Sequence, residues 1–103
     1  SNTGDKRKAL SLFDEAVQHD YYFLDGYIEK GSILYEMKKY KDALAVFNLA
    51  LTISPQFADA YYWIAKCQEA TGKKEEARVN YLRAYELDKS FKEAKEAADK
   101  LVN

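Results

Sequence analysis

Residues of like type return along this chain at a spacing of 34. Phe23, Phe57 and Phe91 form one series, Ala9, Ala43 and Ala77 a second, and Ala16, Ala50 and Ala84 a third. Phe13 and Phe47 recur as Tyr81, Tyr27 recurs as Tyr61, and Asp25 and Asp59 recur as Glu93. Several independent series sharing one interval point to a repeated supersecondary unit.

Within each period the apolar spacing is helical. Ala43, Leu44, Phe47, Ala50 and Leu51 follow the i, i+3, i+4 rule of a single buried stripe, and Tyr27, Gly31, Ile33 and Leu34 do the same upstream. The polar pair Lys38-Lys39 lies between them and is matched one period later by Gly72-Lys73. Each unit is therefore expected to be two helices joined by a tight turn. Gly72 should end its helix with a positive φ, the conformation that glycine adopts freely, and Lys38 or Lys39 should do so one unit earlier. Small residues recur where two helices must approach closely: Gly31 and Ala65 on the first helix, Ala43 and Ala50 on the second. Ser54-Pro55 closes a unit, because the residue before a proline resists the helical region. Composition agrees: 48% hydrophobic and 32% charged residues, with four glycines and one proline in 103 residues, describe a compact helical domain.

On these residues the chain resembles the tetratricopeptide repeat family, and the match extends over nearly all of it. The family pattern appears as Tyr27, Lys30-Gly31, Leu34, Ala43, Phe47 and Pro55, and again as Tyr61, Ile64-Ala65, Gln68, Ala77 and Tyr81, with Lys89 in place of the proline. Two further positions depart from it. Lys30 replaces an apolar residue, so its stem should pack while its amine reaches out. Gln68 replaces an aromatic, which suggests a looser contact. The resemblance implies an all-α fold, a superhelix (solenoid) of helix-turn-helix repeats in a single domain over 1–103. Residues 5–22 then form the second helix of an incomplete repeat, 24–57 and 58–91 are repeats, and 92–103 is a C-terminal capping helix. Ala94, Ala97, Ala98, Leu101 and Val102 give that last helix an apolar stripe, and Ser90 and Glu93 have capping-box spacing. The chain is read as the C-terminal part of a longer array. Its N-terminal helix, with Leu10, Phe13 and Val17, lacks the first helix that would cover it, so this face is expected to be covered either by pairing of two copies as a homodimer or by a shift of the helix.

In this family the first helices line the concave surface. That assigns a partner-binding groove to Asp25, Ile28, Glu29, Ser32, Tyr35 and Glu36 from one unit and to Asp59, Tyr62, Trp63, Lys66 and Glu69 from the next, with Glu93 and Glu96 closing it. Tyr61, Ile64 and Ala65 should be buried, while Tyr62 and Trp63 lean toward the groove. Packing of Trp63 against the C-terminal helix is the bland alternative. Tyr27, Phe47 and Tyr81 are read as core. The implied function is a protein-protein interaction module that binds a peptide or helix of a partner in its concave groove. The alternative is a structural spacer or self-assembly segment of a larger repeat protein. The acidic residues of the groove favour a basic or neutral partner. Some family members clamp the C-terminal carboxylate of chaperone tails with cationic groove residues. Here the matching places hold Ile28, Ser32, Trp63, Glu93 and Ala97, so acidic tails are not expected to bind.

Other function classes find little footing. With 16 basic and 17 acidic residues the chain has no basic excess for nucleic acid. No stretch approaches the length of a membrane span. Without a visible signal peptide the cytoplasm is slightly favoured, although an N-terminal signal lost upstream would leave the same sequence. Catalysis needs converging reactive groups, and the chain has one histidine and one cysteine. His19 falls at a predicted helix C-terminus and Cys67 on an inward helix face, in helices that are not neighbours. No phosphate loop or metal-ligand motif is present, so an enzyme is not expected, and no metal or cofactor is implied.

Overall fold

The computed structural model describes residues 24–102, and all five regular elements there are helices: α1 Leu24–Glu36, α2 Tyr40–Ile53, α3 Ala58–Ala70, α4 Lys74–Leu87 and α5 Lys92–Lys100. Each packs on the next in sequence, and α1 also packs on α3, which makes a helical repeat solenoid. The expectations for the incomplete repeat at 5–22, for His19 and for a homodimer through Leu10, Phe13 and Val17 lie outside the described residues.

Two turns of one design join the paired helices. After α1, the Lys38 N–H donates to Tyr35 O (2.9 Å) and the Lys39 N–H to Leu34 O (2.9 Å); after α3, the Gly72 N–H donates to Glu69 O (3.1 Å) and the Lys73 N–H to Gln68 O (2.8 Å). This is the Schellman pattern, which needs a left-handed residue just past the helix. Gly72 supplies it at φ 86°, and Lys38 adopts the same region at φ 63°. The expected positive φ is thus present in both turns, and Lys38 rather than Lys39 carries it in the first.

The longer links between units differ in chemistry. Ser54, held extended (φ −136°) before Pro55, ends α2, and the equivalent Asp88 (φ −143°) ends α4 without a proline. Asp88 uses its side chain instead: Oδ1 accepts from the Ser90 N–H (3.0 Å) and from the Ser90 hydroxyl (2.6 Å). This Asx-type turn also corrects the expected capping box. Phe91 is the residue preceding α5, no side chain caps that helix, and Ser90 is engaged by Asp88 rather than by the helix.

The core runs along the stack. Tyr27, Leu34, Phe47, Ile64 and Cys67 belong to one buried cluster, and Ala65, Ala77, Tyr81 and Ala98 to the next. Phe47 is fully buried, and a Cβ added at Gly31 would overlap its ring atoms Cε1 and Cζ. The Tyr81 hydroxyl donates to Glu69 Oε1 (2.7 Å), bridging α4 to α3. Gln68 gives no loose contact: its Oε1 accepts from Asn80 Nδ2 at 2.8 Å, so a polar clamp between α3 and α4 takes the place of the aromatic. In α5, Ala94 and Ala98 are buried as expected, but Val102 is 55% exposed. The helix ends at Lys100, so the periodicity that would have turned Val102 inward stops before it.

Candidate functional site

Helix α3 is packed on two sides. Ile64 and Cys67 join the core shared with α1 and α2, and Ala65 joins the core shared with α4 and α5. Steps of 100° along the helix then divide the aromatic run Tyr61-Tyr62-Trp63 among three directions. Trp63 turns back to the first unit: it stacks on Phe47 (5.9 Å between centroids, 20°) and meets Tyr35 edge-on (5.7 Å, 74°). Tyr62 turns forward, against Phe91 (4.8 Å) and Tyr81 (5.5 Å). The expected alternative of Trp63 against the C-terminal helix is therefore corrected, since it is Tyr62 that packs in that direction. Tyr61 is half-buried rather than buried. Its hydroxyl donates to Pro55 O (2.9 Å), and the Arg83 guanidinium covers its ring at 5.4 Å, which keeps one edge of the residue at the surface.

Lys66, one turn along from Tyr62 and Trp63, reaches back over both. Its Nζ lies 5.5 Å from the Tyr35 centroid, 5.6 Å from that of Tyr62 and 5.4 Å from that of Trp63. One ammonium thus sits at nearly equal distance from three rings, within the range of cation–π attraction. Trp63 stands nearly perpendicular to Tyr62 (85°) as well as to Tyr35, so the rings form a bowl.

Next to the bowl is a cleft of about 330 Å³ between α3, α4 and α5. Tyr62, Lys66 and Glu69 form its α3 wall, Tyr81 its floor, and Glu93, Glu96, Ala97 and Lys100 its α5 wall. The structure therefore brings together Tyr62, Lys66 and Glu69 with the closing residues Glu93 and Glu96. Tyr35 and Trp63 adjoin them through the bowl. Asp25, Glu29, Glu36 and Asp59 are exposed on α1 and α3 but do not line this cleft, and the half-buried Ile28 packs on the first core. The Ser32 hydroxyl is turned onto its own helix, donating to Glu29 O at 2.9 Å. Tyr40, which meets Tyr35 edge-on at 5.5 Å, supports the bowl. It escaped the sequence reading because it belongs to a second helix.

Acidity marks this face. Lost hydration pushes Tyr62 above its ordinary pKa, and the negative charges of Glu93 and Glu69 push it further. Tyr35 is raised by burial first and then by its neighbours Tyr40, Cys67 and Glu69. Asp59 is raised by lost hydration and then by the carboxylates of Asp25 and Asp88. Burial pushes the Cys67 thiol up to about 11, with Lys66 working in the opposite direction. A thiol so held is a packing group and a poor nucleophile. Among the described residues no three His, Cys, Asp or Glu side chains converge to hold a metal ion, and no helix is long and apolar enough to cross a membrane.

Two family models match the chain, a TPR repeat over residues 31–72 and a tetratricopeptide repeat over 58–91. Heat shock protein STI1 of Saccharomyces cerevisiae is 32% identical over 100 residues, which cover 94% of this chain and 17% of that protein. The chain thus spans a small part of this curated relative's length. Among solved structures, the first TPR of Spaghetti (RPAP3) bound to the HSP90 peptide SRMEEVD superposes with a TM-score of 0.85 at 26% identity, covering 95% of this chain and 78% of that one. The first TPR domain of human RPAP3 gives 0.87 at 26% identity, with 95% and 77% covered. The Arabidopsis OM64 TPR domain shares the fold at 0.84 and 21% identity, with 95% and 81% covered.

Proposed function

The chain belongs to the tetratricopeptide repeat family, and on that footing we propose that it is a protein-interaction module, not an enzyme, which receives a peptide or helix of a partner protein in the groove formed by α1, α3 and α5. Repeats at 24–57 and 58–91, with 92–103 covering the last of them, are part of the same reading. The family's fold is an interaction scaffold, and one similar domain is bound to an HSP90 peptide. The observation that carries the proposal is the cleft beside the aromatic bowl. Half-buried Tyr62 and Trp63 supply large rigid contact area, and charged side chains surround it, as at an interface core with its polar rim.

Charge separates this chain from the neighbour whose peptide ends in EEVD. Glu69, Glu93 and Glu96 outnumber Lys66 and Lys100 on the cleft walls, and Asp25, Glu29 and Asp59 add negative charge along α1 and α3. A terminal carboxylate would meet mostly like charge, whereas a basic or neutral segment would not. Calorimetric titration with SRMEEVD, with its charge-reversed counterpart and with a neutral peptide of the same length tests this. Binding is expected for the basic or neutral peptide, at reduced affinity in Glu93→Lys and Tyr62→Ala chains. Micromolar binding of SRMEEVD overturns the charge assignment. Binding that ignores both substitutions overturns the groove.

A further inference from the structure

The ring bowl of Tyr35, Tyr62 and Trp63 is a cation site with its own side chain in it. We propose that this bowl receives an arginine side chain of a basic partner segment, and that Lys66 is the internal occupant which the arginine displaces. The inference deepens the groove reading and rests on it.

Three observations carry it. An ammonium already sits over all three rings, at 5.4–5.6 Å from each centroid, so the position is favourable for a cation. Those distances lie at the outer part of the attractive range, which suits a larger and more weakly hydrated cation. A guanidinium is planar and can lie on one ring while its edges reach the others. Finally, the surroundings are acidic: Glu69 and Glu93 are near enough to disturb the hydroxyl of Tyr62, and both line the adjoining cleft. Lys66 is linked to the bowl by its own backbone on α3, so it competes with any external cation and makes the free site self-screened. Release of Lys66 toward Glu69 or Glu93 would re-pair its charge when the arginine enters.

Trp63 is the only tryptophan in the chain, so its fluorescence reports the bowl directly. The probe is N-acetyl-arginine methylamide, with the isosteric neutral citrulline derivative as control, titrated at constant ionic strength into the unsubstituted chain and into Lys66→Met. Saturable change is expected with arginine and not with citrulline. Its midpoint should be about fivefold lower in Lys66→Met, the factor expected from removing one competing cation held by an exposed cation–π site. In the unsubstituted chain, the Lys66 ε-methylene protons should start upfield under the ring currents and move downfield as arginine is added. Equal midpoints in the two chains, or lysine protons that stay in place while the fluorescence saturates, overturn the proposal. So does an acidic peptide whose affinity is lost in Lys66→Met, because Lys66 would then be a ligand for the partner's anion. These outcomes concern the bowl alone. The groove reading falls on the Glu93 substitution, which leaves Lys66 and all three rings of the bowl in place.

Discussion

Replacing Lys38 by glycine should stabilise the chain, and replacing Gly72 by alanine should destabilise it. The two residues hold the same place in equivalent turns, with φ 63° and 86° and the same pair of carbonyl acceptors one unit apart. A side chain in the left-handed region costs about 1–2 kcal/mol. Glycine avoids that cost but gives back about 0.5–1 kcal/mol through the freedom of its unfolded state. Lys38 is exposed, so its removal takes nothing from the core, and a net gain of about 0.5–1 kcal/mol remains. For a domain of this size that raises Tm by roughly 2–8 °C. A Cβ at Gly72 has no atom within 4 Å, so the loss in Gly72→Ala is conformational only and by the same balance about 0.5–1 kcal/mol, or roughly 2–8 °C. Thermal unfolding followed by far-UV circular dichroism measures both, and the double variant should show the sum, since the turns share no partners. A lower Tm for Lys38→Gly, or an unchanged one for Gly72→Ala, would refute the claim that left-handed geometry governs both turns.

Gly31→Ala should lower the denaturation midpoint, because overpacking against the fully buried Phe47 costs about 1–3 kcal/mol and outweighs the roughly 1 kcal/mol that alanine adds to a helix; an unchanged midpoint in urea would mean that α1 and α2 can part freely. Cys67, fully buried and with its pKa pushed up to about 11, should react slowly with a thiol reagent in the native chain and at once in denaturant, and immediate native labelling would overturn the α3 register. Tyr81→Phe removes a 2.7 Å hydrogen bond to Glu69 and should cost about 1.5 kcal/mol in chemical denaturation, while a neutral result would show that water replaces it. The Asp59 carboxyl is raised, so the folded state holds its proton more tightly than the unfolded chain and ionisation opposes folding as pH rises through that value. Asp59→Asn should accordingly raise Tm slightly at neutral pH and have little effect below the usual carboxylate range; a larger benefit in acid would reverse this sign.

The repeat, the helices and most of the buried positions were legible in the sequence because they rest on local rules. A stripe at i, i+3, i+4 dictates a helix with one buried face whatever lies opposite, and the return of Ala43 as Ala77 and of Phe47 as Tyr81 dictates that the next unit buries the same positions. The positive φ of the turns was legible for a similar reason, since Gly72 at a helix end has few other uses. Tertiary structure decided what helical spacing leaves open, namely which of two neighbours an intermediate side chain meets. Periodicity places Tyr62 and Trp63 on one broad side of α3, yet one packs forward on Phe91 and the other backward on Phe47, according to where the adjacent helices lie. The same is true of Ser90, whose spacing to Glu93 satisfies a capping rule but whose hydroxyl found Asp88 nearer. The convergence of Lys66 with rings from α1 and α3 could not be read from spacing at all. It depends on the angle at which two units stack, and that angle is set by the whole interface, Gly31 against Phe47 included.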